Sequence, residues 1–467
     1  MRLACLFNAA KRHVKKFLLH ILLYTQTLNG LLDTALKKSN NICMPVSDVD
    51  IIFFALARWD GPYSSTAYSL AKALSKHVRV FYVDNPFTVK DYIQNRKSAG
   101  IAFRKHALLQ GKDIFLRPDK NYPNLVTVTP RLTLSINWLP SGIVYDTCAK
   151  INDLAMTHAV NETCRSFNIK KYILVNSFNP LVGRYVNFAV KPLLTIYQSV
   201  DDIAHSEYVR KHGPRLEDQA IRKADFTIVT SSELERLKSA ISSDVILLPN
   251  AANTACFNRA ITEDLEKPKE IADLPADKKI ICYTGNICHR LDYELLVSIA
   301  TQHADKMLLM VGPLSSDQYK TSGLADLPNV VFAGRKLIDD LPAYLKYSDC
   351  CIIPFLCNTL TKSIYPLKIN EYLAAGKPVV STAFSADIQS FENVAHVSKN
   401  HADFIANIET AISTDTEELV KQRVEFSSGN NWDARAQRFI ELTAKYLSEN
   451  DRPRRSERKV GVQKVLE

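Results

Sequence analysis

Lys368 and Glu371 stand three residues apart in the stretch YPLKINEYLAAGKPVV, residues 365–380. Pro366 suits the opening turn of a helix, where its missing N–H is not needed. The free backbone N–H groups of that turn, aligned with the helix dipole, make an anion site. Lys368 falls in the first turn and adds a full positive charge. Glu371 follows one turn on, along the same side. A carboxylate there repels phosphate but accepts from the two hydroxyls of a ribose diol. A nucleoside diphosphate therefore accounts for both residues at once. The bland alternative is a surface i,i+3 ion pair worth about a few tenths of a kcal/mol.

Other residues point at the same crevice. In TGNICHRLDYELL (284–296), Gly285 ends an apolar run and Arg290 stands in the following loop. Gly334-Arg335 and Pro354-Phe355 end two further runs. Glycine at such a place permits close approach of a ligand. Arg290 beside Lys368 would make a two-cation clamp on a diphosphate, and the competing partner for Arg290 is Asp292. In the first half, IYQSVDDIAHSEYVRKHG (196–213) carries Asp201, Asp202 and His205 behind a buried strand, facing the expected cleft. A carboxylate in that place orients an acceptor hydroxyl or stabilises positive charge on a reacting carbon. One of the two aspartates is expected to cap the next helix and the other to function, and the pattern does not separate them. Glu233, behind Thr230, Ser231 and Ser232, reads as the third residue of a capping box, with no catalytic role.

The elements that must hold these residues alternate. DIIFFALA (50–57), VRVFYVD (78–84), LVTVTP, KYILVNS, LLTIYQSV, FTIVTS and VILLPN are near-continuous apolar runs, as strands buried on both faces require. Helical patterns at 65–77, 147–167 and 214–223 lie between them. The charged stretch 263–279 reads as a linker. The alternation then restarts with IICYTG, MLLMVG, VVFAG, CCIIPF, PVVST and VAHVS, separated by helical patterns at 292–304, 339–348, 366–375 and 401–413. The fold class is thus α/β: two Rossmann-like doubly wound domains facing each other across a cleft, with a final amphipathic helix at 431–450 packing back on the first. The expected divisions are a basic extension at 1–47, a first Rossmann-like domain at 48–256, a second at 257–430, the cross-over helix, and a disordered tail at 451–467; the resemblance described below makes the first the acceptor domain and the second the nucleotide-sugar domain. Ligands of open α/β sheets bind outside the carboxyl ends of the strands.

Composition excludes several classes. The chain has 467 residues, 46% apolar and 23% charged, which suits two or three globular domains. Ten cysteines without a CxxC pair or Cys/His ligand spacing argue against structural zinc or a disulfide framework, and favour a reducing, cytoplasmic setting. No metal is expected: the DxD at Asp48-Val49-Asp50 precedes the first strand. Of the net charge of +10, residues 1–43 hold +6 (seven Lys/Arg against Asp33) and the tail +3, so the body is nearly neutral and no nucleic-acid partner is expected. FLLHILLY at 17–24 is far short of the ~20 residues of a membrane span. It reads either as part of a basic amphipathic helix on an anionic membrane surface, at the inner face of the cell membrane, or as sequence upstream of a start at Met44. Neither half has GxGxxG after its first strand, which argues against a dinucleotide-dependent oxidoreductase.

From about 50 to 445 the sequence resembles the GT-B glycosyltransferases, in particular the bacterial family 4 (group 1) sugar transferases of cell-surface polysaccharide synthesis. The motifs are LLPNAANTACF (247–257), YTGNI (283–287), LLMVGP (308–313), NVVFAG (329–334), LPAYLKYSDCCIIPF (341–355) and, most specifically, PLKINEYLAAGKPVVST (366–382). The resemblance implies a nucleotide-diphosphate sugar as donor substrate with no separate cofactor, and a glycan or lipid-linked acceptor. It implies diphosphate contacts from Arg290 and Lys368, ribose contacts from Glu371, a base held near Gly334-Arg335, and approach of the Gly61-Pro62 turn from the other side. Asp201-Asp202 occupy the place where family members often carry a histidine. Ser363 replaces a glutamate that often contacts the transferred sugar. The implied reaction is retaining hexosyl transfer. The competing readings are a nucleotide-sugar epimerase of the same fold, with Asp202 and His205 as proton carriers, and a non-catalytic nucleotide- or glycan-binding partner.

Overall fold

The first parallel sheet is built from β1 (Asp50–Ala55), β2 (Val80–Val83), β3 (Phe115–Leu116), β4 (Leu125–Val128), β5 (Tyr172–Ser177), β6 (Leu194–Ser199), β7 (Phe226–Val229) and β8 (Val245–Leu247). The second is built from β9 (Ile280–Thr284), β10 (Met307–Val311), β11 (Val330–Gly334), β12 (Cys350–Ile353), β13 (Val379–Thr382) and β14 (His396–Ser398). The computed structural model describes residues 49–61, 65–205, 209–272, 274–275 and 277–450; the expectations for 1–47, for a start at Met44 and for 451–467 lie outside the described residues.

Strand order is β3-β4-β2-β1-β5-β6-β7-β8 in the first sheet and β11-β10-β9-β12-β13-β14 in the second. Each sheet winds outward from its middle in both directions, so each has a switch point: β1 against β5, and β9 against β12. The apolar runs are the reason. β1, β2, β9, β10 and β12 are buried at every position, because helices cover both faces. Among the described strands, the one antiparallel pairing is the two-residue β3 on the edge of the first sheet.

The chain passes between the two sheets twice, side by side. Ala252 pairs with Asn431, and the Ala252 N–H donates to the Asn430 carbonyl at 3.1 Å. Helix Trp432–Asn450 then returns to the first sheet's side. Asp433 meets Lys76 at 2.6 Å, Tyr446 stacks on Phe226 with ring centroids 4.2 Å apart, and Arg435 donates to the Pro249 carbonyl. A second tie lies at the start of helix Ser232–Ser239. The Ser231 hydroxyl donates to the Ser363 carbonyl at 2.7 Å, and the Ser232 N–H and hydroxyl both donate to Asp387.

Three expectations are corrected. The stretch 263–279 is not a bare linker: helix Lys269–Ala272 buries Ile271, and Glu270 is held by Lys336 and by the Tyr344 hydroxyl. Glu233 makes no capping box. Ser231 alone caps the helix, accepting from Leu234 N–H, while Glu233 bonds Arg236 and pairs with Lys362. The Arg236 guanidinium, chiefly, holds Glu233 down to about 2. Four helices between 89 and 166 also run further than expected: Val89–Asn95, Ala99–Phe103 and Lys105–Gln110 fill a stretch with no predicted element, and Ile143–Ser166 starts four residues early.

One buried ion pair holds the far end of the first sheet. Glu217 accepts from Lys238 at 2.6 Å and from the Ser199 and Tyr197 hydroxyls, with both partners buried. Burial pushes the Glu217 carboxyl above its usual range, and Lys238 pulls it back. Lys238→Met removes that pull, so Glu217 climbs further, and a carboxyl raised above its unfolded value destabilises progressively as pH rises from the unfolded value. K238M should therefore lose about 3–5 kcal/mol at neutral pH, and its deficit against wild type should shrink as pH falls toward the ordinary glutamate range. Denaturant melts at several pH values measure both.

Candidate active site

Gly285 follows β9 at the second sheet's switch point, with φ of +136°, a conformation open in practice only to glycine. A Cβ at Gly285 would overlap Lys368 Cε and sit 3.2 Å from the Tyr283 hydroxyl. A Cβ at Gly312, after β10, would overlap the Gly285 carbonyl. The two glycines thus let two strand ends and one lysine side chain share a space that side chains would fill. Helix Leu367–Ala374 supplies that lysine from its first turn, as its proline-marked start predicts. Lys368 Nζ lies 5.6 Å from the Tyr283 ring and 5.7 Å from the Phe355 ring, the latter just beyond β12.

Arg290 reaches the same place along the loop after β9. That loop is pinned by the Leu291–Phe355 bridge and by the Leu356 N–H donating to the Arg290 carbonyl. Asp292 is not its partner: it caps helix Tyr293–Gln302 through Leu295 N–H and pairs with His401. Instead Arg290 feels Lys368 on one side and Asp201, from the end of β6 in the first sheet, on the other. Burial lowers the Lys368 ammonium, the Glu371 carboxylate raises it and Arg290 lowers it further. Burial raises Glu371, with Lys368 opposing. Burial also raises Asp201, with Arg290 opposing. The side chains of Arg290, Lys368 and Glu371 make no hydrogen bond or ion pair with any described residue. Two cations and a carboxylate are therefore held half-buried, converging, and turned toward the cleft, with an aspartate facing them from the other sheet.

Glu371 also borders a cavity of about 590 Å³ between the two halves. Leu367, Ile338 and Thr254 line it on one side, and Tyr68 and Lys72 on the other. Ile338 brings in the loop that begins at Gly334, where φ is +69°. Arg335 is exposed at the start of that loop.

The remaining expected residues divide. Asp202 is the capping aspartate: it accepts from Ala204 N–H and pairs with His205 at 3.0 Å. That leaves Asp201 as the one beside Arg290, and His205 exposed and turned to Asp202. Gly61 closes a tight turn by donating to the Arg58 carbonyl, and Pro62 lies outside the described residues. Ser363 is buried, its hydroxyl donating to the Leu360 carbonyl, so this side chain is spent on its own helix end.

Sequence reasoning missed one cluster. Asp84 ends β2 and is buried, accepting from Trp59 N–H. Burial lifts it to about 7 against the opposing pull of Trp59 N–H and Arg104. Arg104, equally buried, lies 2.8 Å from Asp60 and 3.9 Å from Asp84. On the far side of β1, Phe178, just past the end of β5, takes a positive φ of 56°, unusual for an aromatic residue. The signal was present: VRVFYVD closes an apolar strand on a carboxylate at the edge where ligands bind.

Two doubly wound sheets with a charged site at the switch point between them define the GT-B architecture, and solved structures agree. Sucrose-phosphate synthase from Thermosynechococcus elongatus matches with a TM-score of 0.59 at 17% identity, over 86% of this chain and 100% of that one. HepE of Anabaena, in complex with UDP and glucose, matches with a TM-score of 0.55 at 14% identity, over 84% and 99%. Residues 278–414 match the family described as glycosyl transferases group 1. Among curated proteins, a stretch of 247 residues is 26% identical to the putative teichuronic acid biosynthesis glycosyltransferase TuaH of Bacillus subtilis, 51% of this chain and 61% of that protein. A stretch of 150 residues is 29% identical to the putative colanic acid biosynthesis glycosyl transferase WcaI of Escherichia coli, 31% and 37%. The chain thus spans less than two thirds of each of these relatives. Residues 278–414, within the second sheet domain, are thus similar to the group 1 glycosyltransferases.

The Gly285 contact makes a direct prediction. Gly285→Ala strains a glycine-only backbone by about 1–3 kcal/mol and displaces Lys368. The variant should remain folded by circular dichroism, melt lower, and bind inorganic pyrophosphate at least about tenfold more weakly, since one charge-assisted hydrogen bond is worth about 1.5–3 kcal/mol.

Proposed function

We propose that the protein transfers a hexose, with retention, from a nucleoside diphosphate donor to a lipid-linked or polysaccharide acceptor. The observation that carries this reading is the convergence of Arg290, Lys368 and Glu371 at the second sheet's switch point, with Asp201 opposite. Arg290 and Lys368 neutralise the diphosphate and stabilise the charge that develops on it as the glycosidic bond breaks. Glu371, at the mouth of the cavity, accepts from the ribose hydroxyls. The cavity gives the nucleoside its space, with the Gly334-Arg335 loop toward the base. Asp201 faces the departing phosphate across the cleft, where it orients the acceptor hydroxyl or stabilises positive charge at the anomeric carbon. Closure of the two sheets on each other excludes water and disfavours hydrolysis.

Two protein cations supply the charge that the leaving group needs, so the reading calls for no divalent ion and no separate cofactor. HepE was solved in complex with UDP and glucose, which makes UDP-hexoses the first donors to try. The names of TuaH and WcaI point to cell-surface polysaccharides for the acceptor. Among the described residues no helix is long and apolar enough to cross a membrane. An epimerase reading would rest on Asp202 and His205, which are engaged with each other in capping a turn.

At a donor concentration about a hundred times its Kd, binding adds about 2.7 kcal/mol of stability. A thermal-shift screen over nucleotide sugars should find one diphospho-nucleotide family that raises the melting temperature. Lys368→Ala and Glu371→Ala should each abolish most of that rise. EDTA should leave turnover unchanged, and an epimerised donor formed without acceptor would refute the transfer reading.

The lowered Lys368 adds a pH test. A bound diphosphate favours the charged ammonium, so binding draws in a proton wherever the free lysine is partly neutral, and affinity falls as pH rises through its lowered value. Calorimetry at alkaline pH in buffers of different ionisation enthalpy should show proton uptake for wild type. Lys368→Arg should keep part of the affinity and show none, because arginine stays charged.

A further inference from the structure

Asp201 stands just past β6 of the first sheet, while Lys368 and Arg290 belong to the second. Asp201 feels the Arg290 charge, yet among the described residues its side chain makes no hydrogen bond. Something other than a direct bond must therefore set the aspartate at its distance from the two cations.

A line of hydrogen bonds runs between them. Thr230 and Ser231 follow β7, the neighbour of β6. The Thr230 hydroxyl donates at 2.9 Å to the carbonyl of Val200, the residue before Asp201. The Ser231 hydroxyl crosses to the other half and donates to the Ser363 carbonyl at 2.7 Å. Ser363 leads through Tyr365 into Pro366, which opens the Lys368 helix. That short lead is braced on the same helix, where the Asn370 amide donates to the Tyr365 hydroxyl at 3.2 Å. Two hydroxyls and one braced segment thus connect the backbone at Asp201 to the backbone at Lys368.

The chemistry of this line suits alignment. Thr230, Ser231 and Ser363 are all buried. The Ser231 oxygen already accepts from Leu234 N–H as a helix cap, so its proton is committed to Ser363. Other bonds also join the halves: Ser232 on Asp387, and the double passage of the chain at Ala252 and Asn431. What the two hydroxyls add is register. Burial of apolar surface has no direction and lets two faces slide. A hydrogen bond weakens steeply away from its preferred length and angle. Register matters at a reacting centre, where a misplacement of about 1 Å costs about 100-fold in rate.

We propose that Thr230 and Ser231 are positioning residues, whose hydroxyls set Asp201 opposite Arg290 and Lys368. The use made of Asp201 rests on the transfer reading above; the alignment itself does not.

The test is a binding cycle with inorganic pyrophosphate, which needs no turnover. In wild type, Asp201→Asn removes a negative charge that faces Arg290, so pyrophosphate should bind about fivefold more tightly. In Ser231→Ala, and separately in the near-isosteric Thr230→Val, the aspartate is no longer held in place. The same Asp201→Asn change should then gain less than about twofold. Ser232→Ala, which keeps its N–H on Asp387, should retain the full gain. Calorimetry reads each affinity at a temperature where circular dichroism shows the variant folded. In a transfer assay Ser231→Ala should lower kcat at least about tenfold and leave the donor KM within about twofold, because the diphosphate clamp lies wholly in the second sheet domain. A merely structural role would lower the melting temperature and leave both the cycle and kcat intact. No gain from Asp201→Asn in wild type, or an undiminished gain in both Ser231→Ala and Thr230→Val, would overturn the proposal. The expected cycle with no transfer from any donor would support the alignment and count against the transfer reading alone.

Discussion

The candidate site depends on a steric constraint. Gly312 lets the Gly285 backbone come close, and Gly285 lets the Lys368 side chain cross the end of β9. Without that clearance the ammonium could not lie between the Tyr283 and Phe355 rings, nor close enough to Arg290 to feel its charge. The half-buried place strips hydration from the Lys368 ammonium, which is the main reason that it is lowered, and the neighbouring Arg290 repels it further. Such an arrangement is held by the surrounding fold, and a polyanion relieves it.

The rest of the second sheet domain serves this arrangement. The order β11-β10-β9-β12-β13-β14 puts the ends of β9 and β12 side by side, and the loop carrying Arg290 is fastened to Phe355 and Leu356 across that junction. Tyr372, on the buried side of the Lys368 helix, accepts from Thr284 N–H at 2.8 Å and so fixes the helix against β9. The lysine, the glycine and the arginine are positioned from elements that touch one another.

Much of this was legible in the sequence, for identifiable reasons. Strands buried on both faces leave long apolar runs, and the β9 to β13 runs read clearly. The Lys368–Glu371 helix announced itself through Pro366 and its spacing. What was not legible depends on tertiary contact. The helices between 89 and 110 keep much of their surface exposed and so show no clear apolar period. The stretch 263–279 looked like a linker because its charges are plentiful, yet Glu270 is engaged by Lys336 and Tyr344 from distant parts of the chain. The adjacent Asp201 and Asp202 are alike in sequence. They part only when Asp202 turns inward to Ala204 and His205 while Asp201 faces an arginine from the other sheet.

The tie at Ser231, Ser232 and Asp387 has its own consequence. It joins the two halves through hydroxyls, a main-chain carbonyl and a carboxylate, all groups that water solvates well. Parting such a seam exchanges each internal bond for one to solvent, so its cost is that of a few hydrogen bonds, about 1.5–3 kcal/mol for each one to the carboxylate, with no large apolar area exposed. The adjoining double passage of the chain at Ala252 and Asn431 stays fastened meanwhile. The two halves thus resemble the leaves of a book, sewn by the double passage of the chain on one side and joined beside it by a polar seam, each leaf with a core of its own.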